Sequence, residues 1–489
     1  MTLNDILAFL PMITLLTWAI LLLVADLWIP PDRKGLTALL AAIGLAVSLG
    51  LALSQLGFTQ GGGSLTAFHD MVVTDGFSIY LDIIFLGSGL AAVTLAYDYL
   101  KRMDIERGEY YSLLLFTLSG MLLMASAHDL IIVFLALELL SIPLYILAGF
   151  ARPRVESEEA SLKYFLLGAF ATGFVLYGIS LIFAATGHTD LAGVLAAVQT
   201  PAFIRPLFLA GAALFLVGLG FKVAAVPFNM WVPDVYQGSP SPVSGFMSVG
   251  AKVAGFAALM RIFVMAFPSL SVEMTPVLWG IAALTMLVGN VLALAQNNIK
   301  RLLAYSSIAN AGYLFMALVP YASAPDASGQ AAANSVAAML FFFAAYALTS
   351  LGAWAVVVAL EQAEGQGLSI DDYAGLGRKY PWLALAMTVF MLSFTGFPLT
   401  LGFWGKLFLF RAAVQGGFTG LALVGLLTSL LSAYYYLRVV VVMFMRAGEP
   451  QVRNELWLGL TAGVLAVAVV VLSFVPNPLL LLAAGAGIK

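Results

Sequence analysis

Cysteine is absent from this chain of 489 residues, which excludes disulfides, cysteine-ligated iron–sulfur clusters and thioether-linked haem. Histidine is nearly absent: His69, His128 and His188 lie far apart without metal-ligand spacing, so no metal and no cofactor are expected. Charge is scarce as well. Only 10% of residues are Asp, Glu, Lys or Arg and the net charge is −3, with no lysine-rich block, so nothing points to nucleic acid or to an acidic partner. No dinucleotide fingerprint follows a strand, no phosphate-binding Gly-Lys-Ser loop occurs, and no nucleophile has a base beside it. Gly61-Gly62-Gly63 reads as a loop. Met1 to Asp5 carries no basic residue and leads into an apolar segment without a cleavage site, unlike a secretory signal, so the first helix is expected to stay.

What is present is hydrocarbon. The chain is 62% hydrophobic, and apolar runs of about 20 residues recur along it. Only helices or a closed barrel can satisfy the backbone inside lipid, and runs such as Ile131 to Phe150 lack the alternation of barrel strands. The expected fold is therefore an all-α polytopic membrane protein embedded in a lipid bilayer. Its spans fall near residues 6–28, 35–57, 77–98, 111–127, 129–150, 160–185, 204–230, 240–266, 272–295, 299–320, 332–360, 380–412, 417–446 and 456–484, about 14 helices. Basic residues are retained at cytoplasmic helix ends. One set of loops carries thirteen of them (Arg33, Lys34, Lys101, Arg102, Arg107, Arg152, Arg154, Lys300, Arg301, Arg378, Lys379, Arg446 and Arg453), the opposite set three (Arg205, Arg411 and Lys489). Both termini are thus expected on the outer side of the membrane.

The six remaining basic residues fall inside spans: Lys163, Lys222, Lys252, Arg261, Lys406 and Arg438. With Glu138, the lysines are the sharpest functional signal, because a charge at mid-bilayer costs about 2.5–3.5 kcal/mol on insertion scales and folding does not demand it. Arg261, roughly 13 Å of helical rise beyond Lys252, reads as an anchor snorkelling to the outer interface. Arg438, beside Tyr434, Tyr435 and Tyr436, reads as held by aromatic faces or a lipid headgroup. Lys222 and Lys406 each share a span with a proline. Pro227 and Pro398 remove a donor and leave the carbonyls of Val223 and Phe394 free, so both helices should break there. Interrupted helices with adjacent ionisable groups are what transporters place around buried polar sites. Five helices separate the two broken spans, so they cross in opposite directions. That parity fits two inverted five-helix repeats, residues 111–270 and 271–446, preceded by a three-helix segment (1–110) and followed by a C-terminal helix (447–489).

The stretch Phe221-Lys222-Val223-Ala224-Ala225-Val226-Pro227-Phe228, continuing from Met230-Trp231-Val232-Pro233 to Gln237-Gly238-Ser239-Pro240, resembles the antiporter-like subunit N of bacterial NADH–quinone oxidoreductase, respiratory complex I. Glu138-Leu139-Leu140-Ser141, Ser248 to Lys252, Asn298 to Ser307 and Gly396-Phe397-Pro398 to Gly405-Lys406 agree with its pattern, so the likeness covers nearly the whole chain. The resemblance implies a proton-translocating subunit with no catalytic centre of its own and no direct quinone or NADH site. Its lateral contacts would be subunits M and K. In the implied path Glu138 pairs with Lys222, Lys163 sits beside them, and polar groups lead by way of Lys252 to Lys406. A nearby carboxylate favours the ammonium form of a buried lysine while desolvation opposes it, so displacing the carboxylate switches proton affinity. Arginine would hold a proton without releasing it. Transfers between lysines on different helices would need ordered water, since the side chains are too few to form a continuous hydrogen-bonded chain.

The chain departs from the family pattern at Asn229 and Asn310, which stand where many relatives carry histidine. Neither titrates, although both can orient a relay, and Tyr305 is a further relay candidate. His128, with Asp129, reads as a helix-end residue. Two other readings stand beside this one. A subunit of a multisubunit cation/proton antiporter shares the same lysines and broken helices, and a purely structural spacer would hold Glu138 and Lys222 as a static ion pair.

Overall fold

The computed structural model describes residues 3–30, 33–323, 330–362, 365–453 and 455–488, so Lys489 of the basic-residue count lies outside the described residues. The chain is helical nearly throughout. A short α1 (Leu3–Ala8) and α2 (Leu10–Ala25) are followed by α3 (Gly35–Gln60), α4 (Gly76–Arg102), α5 (Glu109–Ser126), α6 (Leu130–Ala148) and α7 (Val155–Thr186). After the short loop helix α8 (Leu191–Ala197) come α9 (Arg205–Val223), the short α10 (Val232–Gly238), α11 (Ser241–Met265), α12 (Ser271–Leu294), α13 (Ile299–Ser323) and α14 (Gln330–Leu360). A four-residue α15 (Leu376–Lys379) leads to α16 (Pro381–Thr395), α17 (Leu401–Gln415), α18 (Thr419–Met445), α19 (Leu456–Phe474) and α20 (Pro476–Gly485). Thirteen of these segments are long and apolar enough to cross a membrane. Counting the broken pair α16–α17 as one more crossing gives the fourteen expected from run length.

Three refinements concern helix ends. The span expected over 456–484 is two helices, because Pro476 starts α20 directly after Phe474 and Val475. The span expected to reach residue 230 stops at Val223, four residues before Pro227. The loop after α3 folds into a hairpin, β1 (Leu65–Ala67) and β2 (Val72–Thr74), antiparallel with Leu65 opposite Thr74. Its turn holds Phe68, His69 and Asp70 at positive φ.

Burial sorts the helices into shells. The apolar window of α11 is wholly buried and those of α13 and α14 nearly so, whereas α2 and α19 leave most of theirs uncovered. A helix apolar all round is either central or lipid-facing; these occupy the two extremes. Small residues let backbones meet at the crossings: a Cβ at Gly178 of α7 would stand 2.8 Å from the Gly211 carbonyl of α9. On the basic side, loop ends are tied by Lys34–Asp26, Arg102–Glu455, Lys379–Glu449 and Arg446–Asp371. The last two pairs are exposed and add little each.

Arg261 corrects an expectation. It does not snorkel: its side chain is 1% exposed and donates to both oxygens of Asp75, 0% exposed, at 3.1 Å each, and to the carbonyl of Ala125 at 2.8 Å. The Phe77 ring lies 5.2 Å below the guanidinium. Asp75 also caps α4 in a reciprocal box with Ser78. This one guanidinium therefore joins α4, α5 and α11. Arg438 likewise differs from its reading. It donates to the Gln296 carbonyl at 2.7 Å and to Asn297 Oδ1 at 2.8 Å, capping the exit of α12 rather than meeting lipid.

Candidate functional site

Both proline-bearing spans are broken where expected. In the first, α9 ends at Val223, Ala224 turns to φ 63°, and eight residues of turn and loop follow before α10. Pro227 itself is exposed, and the gap is held by other groups: Trp231 Nε1 donates to the Phe221 carbonyl at 3.0 Å and Thr285 Oγ1 accepts from the Val226 amide at 3.0 Å. In the second, α16 ends at Thr395, Gly396 adopts φ 84° and Leu399 φ 72°, and α17 restarts at Leu401. Pro398 is exposed too, and Ser393 Oγ accepts from the Gly402 amide at 3.1 Å across the gap.

Each break places a lysine in the interior. Lys222, in the last turn of α9, is 2% exposed and donates to Ser141 Oγ at 2.8 Å and Tyr164 Oη at 3.1 Å, with the Tyr164 ring 5.4 Å from its nitrogen. Tyr164 is fixed by stacking on Trp231 at 4.5 Å. Lys406, in the second turn of α17, donates to Ser429 Oγ at 2.8 Å and to the Thr395 carbonyl at 3.2 Å, with the Tyr313 ring 4.8 Å away. Lys252 lies midway along the central α11 and donates to Ser307 Oγ at 2.5 Å. All three are buried, and among the described residues none has a carboxylate within ion-pair distance.

Glu138 and Lys163 are placed differently from the expectation. Glu138 sits half-buried on the outward side of α6, between the exposed Leu135 and Ile142, close enough to act on Lys222 electrostatically but not as a contact pair. Ser141, one turn further on, takes the ammonium instead. Lys163 is not at mid-depth: α7 begins at Val155, five residues before the apolar run, so Lys163 stands near its basic end with its side chain 40% exposed. It pairs with Glu159 and Asp234 at 2.7 Å each.

Between Lys252 and Lys406 runs a file of hydroxyls and amides that the sequence did not announce. Ser306 and Tyr436 share a 2.5 Å hydrogen bond, and Tyr435, its ring 4.4 Å from that of Tyr436, donates to Asn290 Oδ1 at 2.9 Å. Asn290 in turn reaches Tyr313 at 3.4 Å, beside Lys406. Asn310 belongs to the file, buried and donating to the Ser306 carbonyl at 2.9 Å. Ser248 and Ser350 bond at 2.8 Å next to Tyr346. Asn229 and Tyr305 are not brought to it: both are half-buried, Asn229 in the first gap and Tyr305 within apolar packing. Serines and tyrosines, which at helical spacing look like ordinary packing, supply this file.

Two buried charges also escaped notice. Lys300, counted among loop cations, is 1% exposed and donates to the Ser239 carbonyl at 2.6 Å, with Glu361 3.9 Å away. Asp82 on α4 is buried with one carboxylate oxygen unbonded. Opposite the basic side His128 bonds the Asp70 carbonyl at 3.0 Å; burial, with Arg261 nearby, holds it below the ordinary imidazole value, which fits a helix-end residue.

The family model described as NADH:quinone oxidoreductase/Mrp antiporter, TM, matches residues 127–432, well over half of the chain and all five ionisable candidates. The chain belongs to this antiporter-subunit family. NADH-quinone oxidoreductase subunit N of Trichlorobacter lovleyi is 46% identical over 94% of this chain and 91% of its own length. The protein of the same name from Chloroflexus aggregans is 45% identical over 96% and 94%. Among solved structures, a chain of respiratory complex I from Thermus thermophilus with bound aureothin superposes with a TM-score of 0.81 at 36% identity, covering 96% of this chain and 98% of that one. A chain of the Mrp complex from Dietzia sp. DQ12-45-1b gives 0.86 over 99% and 97%, but at 22% identity, so it speaks for the fold alone. The resemblance drawn from the Phe221–Pro240 stretch is thereby borne out.

Proposed function

We propose that this chain is a proton-translocating membrane subunit of an NADH–quinone oxidoreductase, moving protons outward across a bacterial inner membrane while quinone is reduced elsewhere in the assembly. The observation that carries the reading is that Lys222, Lys252 and Lys406 are buried, unpaired with any described carboxylate, and joined to hydroxyls along one interior file. A buried amine held by neutral acceptors can lose its proton without leaving a counter-charge stranded, unlike a buried arginine–carboxylate pair. In this reading Glu138 tunes Lys222 from outside the file, and Lys252 and Lys406 hold protons in sequence. Asn310 orients the file; Asn229, Tyr305 and Lys163 are not needed for it. The two broken helices serve as matching elements of inverted repeats, with both termini on the outer side.

The half-exposed Glu138 and the apolar face around it suit a neighbouring membrane subunit; the family points to those resembling M and K. The chain acts within that enzyme as a translocating part and carries no redox chemistry of its own. The test is Lys222→Ala in the assembled complex, with proton pumping and NADH oxidation followed together. Loss of pumping with assembly intact is the expected result; normal pumping removes Lys222 from the mechanism. Sodium-dependent proton movement without NADH would instead favour a cation/proton antiporter.

A further inference from the structure

A cleft of about 650 Å³ opens on the basic side between α7, α10, the start of α13 and the segment after α14. Its mouth carries the ion-paired cluster Lys163, Asp234 and Arg301, with Asp234 accepting from Lys163 at 2.7 Å and from Arg301 at 2.8 Å. At its floor lie Lys300 and Glu361, both almost fully buried. A carboxylate and an amine 3.9 Å apart, below a polar cleft, form a titratable pair that touches solvent on one side and the protein interior on the other.

The interior side is lined by further polar groups. Around the floor Glu361, Tyr373 and Ser241 are buried, and further in so is Tyr236. Hydroxyls both donate and accept, so a buried pair ringed by them has the groups a proton needs on its way inward. Tyr236 lies beside Ser307, and Ser307 is the residue that accepts from Lys252. Lys300 and Ser307 share α13, seven residues or about 10 Å apart and nearly on the same helical face. Tyr99, on α4, closes the other edge, taking the Ser241 amide at 3.4 Å.

We infer that this cleft is a proton intake of the chain: the Lys300–Glu361 pair loads a proton from the basic side and passes it by Tyr236 and Ser307 to Lys252. The inference rests on the proton-translocation reading above. A proton from water in the cleft binds the Glu361 carboxylate or the neutral Lys300 amine. The loaded group then releases it to solvent bridging toward Tyr236. The Tyr236 oxygen takes up one proton as it gives its own to Ser307. Ser307 does the same toward the neutral amine of Lys252, which becomes ammonium, while Tyr236 and Ser307 end unchanged.

The test uses the assembled complex in native membranes, reading protons pumped per NADH oxidised. Tyr236→Phe keeps the ring and removes only the hydroxyl beside Ser307; a packing role predicts no change, and the intake predicts a clear fall. Lys300→Arg keeps the charge and the bond to Ser239 but cannot release a proton at working pH. A structural role predicts rescue, and the intake predicts that this variant pumps as poorly as Lys300→Met. Wild-type pumping by both Tyr236→Phe and Lys300→Arg overturns the inference. If Lys252→Met pumps normally as well, the proton reading itself falls; if Lys252→Met stops pumping while the two intake variants do not, only the intake falls. Should Glu361→Gln fail to assemble, Tyr236→Phe decides alone.

Discussion

The two broken helices put their lysines on opposite sides of the gap, yet both ammonium groups arrive in the same electrostatic place. Lys222 precedes its break and lies in the last turn of α9, among carbonyls that have lost their helical partners. Lys406 follows its break, in α17, and reaches back to the carbonyl of Thr395, the last residue of α16. Each therefore meets the negative end of a half-helix dipole, where a cation is favoured in the first place and a hydroxyl completes the shell. The difference lies in how the turn is made. The first gap uses an alanine at positive φ, Ala224, and the second a glycine, Gly396, against which Lys406 packs: a Cβ there would stand 3.0 Å from Lys406 Cδ. What recurs is the dipole and the hydroxyl; position along the chain is free to vary.

The largest effect expected is functional. Lys222→Ala and Lys406→Ala should each slow proton transfer along the file by roughly 100-fold or more, seen as lost pumping in membrane vesicles, and arginine at either position should not restore it. Pumping by Lys406→Arg would break the equivalence, leaving that residue as a fixed charge. Next comes the contrast between an unpaired lysine and a paired arginine. Asp75→Leu strands Arg261 and should lower stability by about 3–5 kcal/mol. Lys222→Leu should cost much less, because no partner is left behind; thermal unfolding of the two assembled variants measures the gap, and equal losses would mean that Lys222 has a counter-charge after all.

A finer comparison concerns the turns. Gly396→Ala should cost about 1–2 kcal/mol for the left-handed backbone alone, whereas Ala224→Gly should be near neutral or slightly stabilising. Both can be read as shifts in midpoint of unfolding, and the reverse order would show that the gaps are held by something other than local conformation. The smallest effect belongs to the rim. Lys379 holds Glu449 below the ordinary glutamate value, so any stability it adds is present above that value and lost as pH falls through the lowered one. Both side chains are exposed, and Glu449→Gln should leave the unfolding midpoint unmoved.

Much of this architecture was legible beforehand for physical reasons. Lipid demands long apolar runs, so the helix count follows from counting; proline demands a freed carbonyl, so both breaks were visible at Pro227 and Pro398. The interior file was not legible, because Ser306, Ser307, Tyr435 and Tyr436 are residue types that equally fill helix crossings. Depth was misread where it was inferred from hydropathy alone. Lys163 fell inside an apolar run although its helix begins at Val155, and Lys300 was taken for a loop residue although the first turn of α13 is buried.

The amino-acid sequence by itself determined the membrane class, the number of crossings, the two breaks and the scarcity of charges that makes each buried one informative, since all of these depend on local composition measured against a hydrocarbon solvent. Tertiary structure alone decided which charges are paired. Arg261 meets Asp75 from 186 residues away, while Lys222, separated from Glu138 by a turn of α6, bonds Ser141 instead. A side chain's partner is set by which helices pack together, and that packing brings distant parts of the chain to within a few ångströms in ways that no local pattern records.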